Sequence, residues 1–213
     1  IQNLNEFKDA WEFGLSAYRK KRKSNSLLIE RHVFGDDFRF FVVDGKVISA
    51  THRKRANVVG DGSSTIYELI QKKNHERSRN PYLSGYLIPV DLNELDNLEK
   101  DGLDLQSIPP AGKEITLRSQ SNISAGGDSV DVTDIVHPDY KDIAIRAVQA
   151  IPGIEYAGVD IITPDITVKP TPSNHIVGEV EFSPAPITHF PYKGKARDMA
   201  GAVLEYYINK YNS

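Results

Sequence analysis

The sequence contains no cysteine, and this absence excludes a disulfide framework, thiolate catalysis and zinc sites built from cysteine. It also has no apolar run long enough to cross a bilayer, and nothing near its start resembles a signal peptide. The formal net charge of −3 gives no excess of positive charge for binding nucleic acid or an anionic membrane. We therefore expect a soluble cytoplasmic protein with neither nucleic acid nor a membrane among its partners.

The chain has enough apolar residues for a packed core, at 39% of its 213 positions. An amphipathic helix is predicted over residues 5–20, because apolar side chains recur there at three- and four-residue spacing. These side chains are Phe7, Trp11, Leu15 and Tyr18. Because the sequence does not begin with methionine and opens at once on this helix, we expect it to be part of a longer polypeptide.

A β-hairpin is predicted around Asp44-Gly45, a dipeptide that tolerates the positive φ angles of a tight turn. The flanking runs, 38–43 and 46–51, are rich in apolar and β-branched residues, as strands are. A short apolar run at 27–29 reads as a third, buried strand. Residues 27–51 are therefore predicted to form a three-stranded antiparallel block.

Further elements follow from the same kinds of pattern. Thr65 and Glu68 have the spacing of a capping box, which predicts a helix that begins there and ends near Lys73. Residues 75–79 after it are expected to be exposed, and residues 119–128 are too polar and glycine-rich to be buried unless they wrap a ligand. The remaining predictions are helices over 92–100, 139–150 and 196–207 and a strand over 114–118.

Three carboxylates are predicted to share one wall of a sheet. The segments 154–162 and 177–182 read as neighbouring strands joined by a proline-rich loop. Glu179 and Glu181 are two apart and point to the same face, where Asp160 on the adjacent strand can meet them. Carboxylates this close need a cation, and oxygen ligands suit Mg²⁺. A solvated acidic face is the alternative that the pattern leaves open.

Several common motifs are missing from the sequence. It has neither a Walker-type phosphate loop nor the glycine fingerprint of dinucleotide-binding folds. It also lacks the Gly-x-Ser-x-Gly elbow of serine hydrolases. A nucleotide triphosphate would therefore have to be held by cations, metal and a polar slot of another design.

Five segments instead follow one another along nearly the whole chain. They are ERHVFGDDFR at 30–39, NVVGDG at 57–62, SNISAGGDSVDVTD at 121–134, GVDII at 158–162 and YKGKAR at 192–197. In this order they resemble the ATP-grasp ligases, in particular cyanophycin synthetase and the glutathione-synthetase half of bifunctional glutathione biosynthesis enzymes. The last segment is closest to the latter.

The resemblance implies an α+β fold, the C-terminal part of an ATP-grasp domain, with a mostly antiparallel sheet, flanking helices and a small inserted lobe over 56–102. It implies an ATP- and Mg²⁺-dependent (or Mn²⁺-dependent) ligase that joins the carboxylate of an amino acid or peptide to an amine through an acyl phosphate. The family's lysine-bearing strand and glycine-rich flap precede the helix with which the chain opens. We expect this piece alone to be inactive, and its exposed strand edges could pair two copies into a homodimer.

The resemblance also assigns the nucleotide site. The adenine hinge of the family matches Glu30, Arg31 and Val33, and the acidic residue that accepts from the ribose hydroxyls matches Asp37. The Gly126-Gly127 turn lies beside the phosphates. A charge at a strand end is the alternative reading of Glu30.

The same resemblance assigns the catalytic and metal positions. Arg118 matches a basic residue near the transferred phosphate, with Asn122 beside it, and Asp160 and Glu179 match the two magnesium ligands. The third metal position is usually asparagine in the family, and here it is Glu181. The added negative charge could tighten metal binding or repel the triphosphate.

Two other classes of function remain open at this stage. A metal-dependent phosphohydrolase or nuclease could use the same carboxylates, but it would leave the hinge at 30–37 without a role. A non-catalytic nucleotide-binding or scaffolding module is suggested by Glu181 and by the missing flap.

Overall fold

In a computed structural model, the structure describes residues 3–20, 29, 33–90, 97–98 and 101–212. The chain divides into two units, Ile1–Val33 and Phe34–Ser213. The first unit contains helix α1 (Leu4–Lys20), which confirms the helix predicted at the start of the chain. The side chain of Asn3 caps α1 by accepting hydrogen bonds from two backbone N–H groups of its first turn.

The second unit has an α+β composition, as predicted. Short 3₁₀ turns lie at Leu83–Gly85 and Ile123–Ala125. Within the described residues, no helix is long and apolar enough to span a membrane. The strands and helices of the second unit are β1 (Asp36–Val43), β2 (Lys46–Lys54), β3 (Asn57–Val59), α2 (Ile66–Arg77), β4 (Glu114–Thr116), β5 (Asp128–Asp131), α3 (Pro138–Gln149), β6 (Tyr156–Thr163), β7 (Ile176–Glu181) and α4 (Met199–Asn212).

The main sheet of the described residues has five strands in the order β5-β2-β1-β6-β7, and every neighbouring pair is antiparallel. The hairpin prediction is confirmed: Asp44 and Gly45 have φ angles of 49° and 67°, and they connect β1 to β2. The third strand of the predicted block is wrong at Ile29, which lies outside any strand and is 68% exposed. Residues 27 and 28 lie outside the described residues. The second neighbour of β1 is β6, which pairs with it over eight residues.

The two faces of this sheet differ in character because side chains alternate along each strand. On one face, Phe38, Phe40 and Val42 of β1 pack with Val159 and Ile161 of β6 in the main core. Helix α3 covers this face with its buried residues Tyr140, Ala144 and Val148.

The opposite face of the sheet is apolar at one end only. There, Phe41 and Val43 pack against Met199 of α4. The rest of this face carries Asp37, Arg39, Arg53 and Asp160. We call it the polar face.

A second, smaller core lies in the segment predicted as an inserted lobe. Strands β3 and β4 pair antiparallel, and α2 packs on them. The capping box at Thr65 and Glu68 is confirmed, and α2 continues past Lys73 to Arg77. This core includes Ile115 and Leu117, so it extends beyond the predicted boundary at 102. The helix predicted over 92–100 lies mostly outside the described residues, and the described pair, 97–98, forms a turn.

Candidate functional site

Four charged side chains form a continuous ladder of ion pairs across the polar face. The strand register puts Arg39 opposite Asp160 and Arg53 opposite Asp37. Arg39 donates to Asp160 through Nε and through Nη2, the latter over 3.0 Å. Arg53 Nη2 lies 2.7 Å from Asp37 Oδ1 and 2.7 Å from Asp160 Oδ2. Arg53 therefore joins the predicted ribose ligand to the predicted metal ligand.

The Arg39–Asp160 half of the ladder is buried, Asp37 and Arg53 are half-buried, and the four charges balance. Arg39 and Asp160 are only 9% and 7% exposed. Burial alone would lower the pKa of Arg53, but the attraction of Asp160 and Asp37 outweighs burial and raises that pKa above its ordinary value. Because each guanidinium faces a carboxylate, burial does not leave an uncompensated charge.

Two buried polar atoms on the polar face have no hydrogen-bond partner among the described residues. They are Oγ1 of Thr51 and Nε of Arg53. A buried donor or acceptor left unpaired lowers the stability of the fold by about 1–3 kcal/mol, and such groups are therefore rare in proteins. The polar face thus retains hydrogen-bonding capacity next to the ion pairs.

Two cavities adjoin the ladder, one on each side of Arg53. The first, of about 250 Å³, is lined by Asp37, Arg53 and the loop from Ser119 to Asn122. Ser121 Oγ donates to Asp37 Oδ2 there, over 2.8 Å. The second, of about 210 Å³, is lined by residues that include Arg39, Arg53, Tyr82, Asn122, Glu181 and Ile187. Asn122 lines both cavities.

The structure therefore brings together some of the predicted site residues and not others. Asp37, Asn122, Asp160 and Glu181 surround the Arg39–Arg53 pair. Arg118 follows β4, is half-buried and does not line either cavity. Glu30 and Arg31 lie outside the described residues, and Val33 belongs to the first unit. The adenine hinge remains a prediction.

Protein groups bury the Gly126-Gly127 turn. Gly126 has φ 90°, and a Cβ there would lie 3.0 Å from Ile88. A Cβ on Gly127 would lie 2.7 Å from the backbone oxygen of Lys54. The expectation that this loop could be buried only around a ligand is wrong for these glycines, because close packing of the backbone explains them.

An arginine from α2 also holds this turn. Arg77, predicted to be exposed, has an exposure of 0%. It donates to the backbone oxygen of Gly127 and to Asp128 Oδ1, each over 3.0 Å. Lys73 Nζ lies 2.6 Å from Asp128 Oδ2. These two cations anchor the small lobe to β5 through one buried carboxylate.

The three predicted metal ligands do not form a cluster of their own. Glu179 lies opposite Asp160 in the β6–β7 register, and Glu181 lies opposite Gly158. Within the described residues, however, no three Asp, Glu, His or Cys side chains are close enough to hold a metal ion. The physical reason is that the Asp160 carboxylate is bound by two guanidinium groups and Glu181 accepts from the backbone N–H of Ser183.

The side chain of Arg39 packs directly on the backbone of Gly158. A Cβ at Gly158 would lie 2.8 Å from Nη1 and 2.9 Å from Cδ of Arg39. We expect Gly158→Ala to lower the free energy of unfolding of the chain by about 1–3 kcal/mol, because the added methyl group would clash with the Arg39 side chain packed on this glycine. Urea denaturation measures this loss. Gly85→Ala, where a Cβ would meet nothing within 4 Å, is the matched control. Equal losses in both variants would contradict the role of Gly158.

Comparisons with known proteins extend these observations. No protein-family model matches the chain. The chain is 39% identical over 194 residues to the glutathione biosynthesis bifunctional protein GshAB of Clostridium perfringens, covering 88% of the chain and 24% of that protein. It is 38% identical over 200 residues to the cyanophycin synthetase of Trichormus variabilis, covering 92% of the chain and 22% of that protein.

The chain is also similar in structure to a solved protein of the same kind. The bifunctional glutathione synthetase of Pasteurella multocida superimposes with a TM-score of 0.71 at 31% identity. The match covers 84% of the chain and 24% of that protein. The chain thus spans about a quarter of the length of the curated relatives that it matches.

Proposed function

We propose that this chain, a homologue of the ATP-grasp ligases with their α+β fold, forms part of an ATP-dependent carboxylate–amine ligase. The observation that carries the proposal is the ladder Asp37–Arg53–Asp160–Arg39, which crosses three strands of the polar face. It joins the residue matched to the ribose with the residue matched to the metal. A guanidinium group between these two residues is placed where the phosphates would lie, and its planar N–H groups suit phosphate oxygens.

In this proposal ATP lies along the ladder. The ribose hydroxyls are bound by Asp37. The phosphates then approach the guanidinium groups of Arg39 and Arg53, whose planar N–H groups suit phosphate oxygens. Arg118 and Asn122 act near the transferred phosphoryl group.

Asp160 and Glu179 would hold Mg²⁺, or Mn²⁺, between them and the phosphates. Mg²⁺ in nucleotide sites is bound by one or two carboxylates, and substrate phosphates and water complete its shell. Asp160 accepts three hydrogen bonds from Arg39 and Arg53, which leaves one of the roughly four lone-pair sites of its carboxylate for the ion, and Glu179 opposite it would supply a second carboxylate. When bound, the ion supplies positive charge to the phosphate oxygens. The same argument counts against a phosphohydrolase that needs a metal cluster built from the protein alone.

The proposed reaction joins an acid and an amine. The substrate carboxylate attacks the γ-phosphorus of ATP, ADP leaves and an acyl phosphate forms. The neutral amine then attacks the acyl carbon, phosphate leaves with the bonding electrons, and the nitrogen releases a proton to solvent. Nε of Arg53, a buried donor without a partner among the described residues, would donate a hydrogen bond to a phosphoryl oxygen on which charge develops. The substrates are an amino acid or short peptide and an amine, and the whole enzyme is a longer polypeptide.

The test uses the full-length protein that contains this chain. It is incubated with MgATP and a panel of amino acids, short peptides and amines, and phosphate release is measured. The proposal predicts release that requires both an acid and an amine. Release from ATP without either would indicate a phosphohydrolase. Nucleotide binding without any release would indicate a non-catalytic module.

A substitution of Asp37 tests the ribose assignment. We expect Asp37→Ala to raise the KM for ATP more than it lowers kcat, because a ribose contact is made equally in the ground and transition states. One charge-assisted hydrogen bond corresponds to about a ten- to hundredfold change in affinity. Ser121→Ala is the control, since it removes a hydrogen bond to Asp37 and leaves the carboxylate in place. An unchanged KM for ATP in Asp37→Ala would remove this residue from the site.

A further inference from the structure

The 210 Å³ cavity on the polar face has walls from four parts of the chain. Arg39 and Arg53 come from the sheet, Tyr82 from the 3₁₀ turn of the lobe, Asn122 from the glycine-rich loop and Glu181 from the end of β7. Buried Ile123 and Ile187 add an apolar surface. The cavity is contiguous with the ladder because Arg39 both binds Asp160 and lines the cavity.

The cavity carries one carboxylate that the protein does not neutralise. Both guanidinium groups in its wall are already paired with Asp160 or Asp37, so those four charges cancel. Among the described residues, Glu181 has no cationic partner. Its Oε1 accepts one hydrogen bond, from the backbone N–H of Ser183, over 3.1 Å. The cavity therefore has a net negative charge that a cationic group would balance.

The other polar groups of the wall suit a small, hydrogen-bonding ligand. Burial, and to a smaller extent the neighbouring Tyr86, raises the pKa of Tyr82 to about 12, so the hydroxyl of Tyr82 stays protonated near neutral pH. A volume of 210 Å³ corresponds to about seven water molecules at ~30 Å³ each, which is room for a small amine.

Glu181 is poorly placed to complete a metal site. Asp160 and Glu179 are direct partners in the β6–β7 register, whereas Glu181 lies two residues further along, opposite Gly158. The side chain of Glu181 lines the cavity, and that of Glu179 does not. Glu179 and Glu181 are two residues apart on the same face of β7, but Glu179 lies opposite Asp160 and Glu181 lines the cavity.

We propose that Glu181 binds the ammonium group of the amine substrate in this cavity and accepts the proton that the nitrogen must lose before it attacks the acyl carbon, and that it is not a third metal ligand. The inference rests on the proposed function and names the cavity that receives the second substrate. The proposal also explains why a carboxylate at this position is compatible with binding a triphosphate, because the ammonium group of the amine would neutralise the charge of Glu181. The substrate class is a small primary amine that is positively charged in solution.

The test separates capture of the amine from formation of the acyl phosphate. Hydroxylamine is largely uncharged at neutral pH, and it traps acyl phosphates as hydroxamates without needing a carboxylate to bind it. In the full-length protein, amide formation with the amine and hydroxamate formation are measured for the wild type, Glu181→Gln and Glu181→Asp. Glu114→Gln, the same chemical change at a residue paired with Lys54, is the matched control.

We expect Glu181→Gln to raise the KM for the amine about tenfold or more, the effect of losing one charge-assisted contact. The ratio of hydroxamate to amide formation should rise by a similar factor, and the Mg²⁺ concentration for half-maximal rate should change little. Glu181→Asp keeps the charge and should recover part of the amine affinity.

Two results would overturn the inference while leaving the ligase intact. One is a parallel fall of both products with a raised Mg²⁺ requirement, which would make Glu181 a metal ligand. The other is a ratio no different from that of Glu114→Gln. If the wild type forms neither product with any acid on the panel, the proposed function itself fails, and the inference fails with it.

Discussion

Glu179→Gln in the full-length protein is expected to lower amide formation by about 10³-fold or more. A ligand to the metal that neutralises the phosphates is worth several kcal/mol in the transition state, and about 4 kcal/mol corresponds to three factors of ten in rate. Glu179 is exposed on an edge strand, so its loss should leave the fold unchanged. The rate is measured as amide formation over a range of Mg²⁺ concentrations.

A matched control separates this effect from a general loss of charge. Glu205→Gln changes another exposed carboxylate, on α4, and should leave the rate near that of the wild type. Circular dichroism checks that both variants are folded. Retained turnover with ordinary Mg²⁺ dependence in Glu179→Gln would remove this residue from the metal site.

Asp160→Asn is expected to lower the free energy of unfolding of the chain by about 3–5 kcal/mol, the usual cost of removing one partner of a buried ion pair. Asp160 is 7% exposed and accepts from both Arg39 and Arg53. Its loss leaves the buried Arg39 without a carboxylate partner and Arg53 with Asp37 alone. Urea denaturation of the chain measures the loss.

The double variant Arg39→Met with Asp160→Asn is the control for the destabilisation. Because it also removes one unpaired buried charge, it should recover part of the lost stability. A loss of less than about 1 kcal/mol in Asp160→Asn is typical of an exposed pair and would contradict the burial of the ladder.

The parts of the fold that depend on neighbouring residues could be predicted from the sequence. Asp44-Gly45 predicted the β1–β2 hairpin because the turn needs positive φ at adjacent positions. Alternation along β7 put Glu179 and Glu181 on one face, and the register then placed Glu179 opposite Asp160. Thr65 and Glu68 predicted the start of α2 because a capping box spans only four residues.

The ion pairs of the site could not be predicted in the same way. Arg39 and Asp160 are 121 residues apart, and the sequence does not show that β6 pairs with β1. Arg77 belongs to a charged segment at the end of a helix, which usually faces solvent, and its burial depends on Asp128 in a distant strand. A run of three apolar residues at 27–29 was too short to distinguish a strand from another apolar segment.

The surroundings of the three carboxylates also depend on residues that are distant in the sequence. Strand alternation predicts which face a side chain occupies, but not which group on that face it meets. The guanidinium groups of Arg39 and Arg53 satisfy Asp160, and the following loop binds Glu181 through Ser183. Asp37 and Arg39 lie at alternate positions of β1, and β2 carries Arg53; this pattern across the predicted hairpin was the signal that could have revealed part of the ladder.

The central claim is that an acid is activated by transfer of a phosphoryl group to its carboxylate. The most direct test supplies the full-length protein with MgATP, an amine and amino acids or peptides whose carboxylates carry ¹⁸O, in unlabelled water. If an acyl phosphate forms, the released phosphate carries one ¹⁸O atom from the acid, and the label disappears in Glu179→Gln. Phosphate released without label would mean that water attacks ATP, and the ligase account would be contradicted.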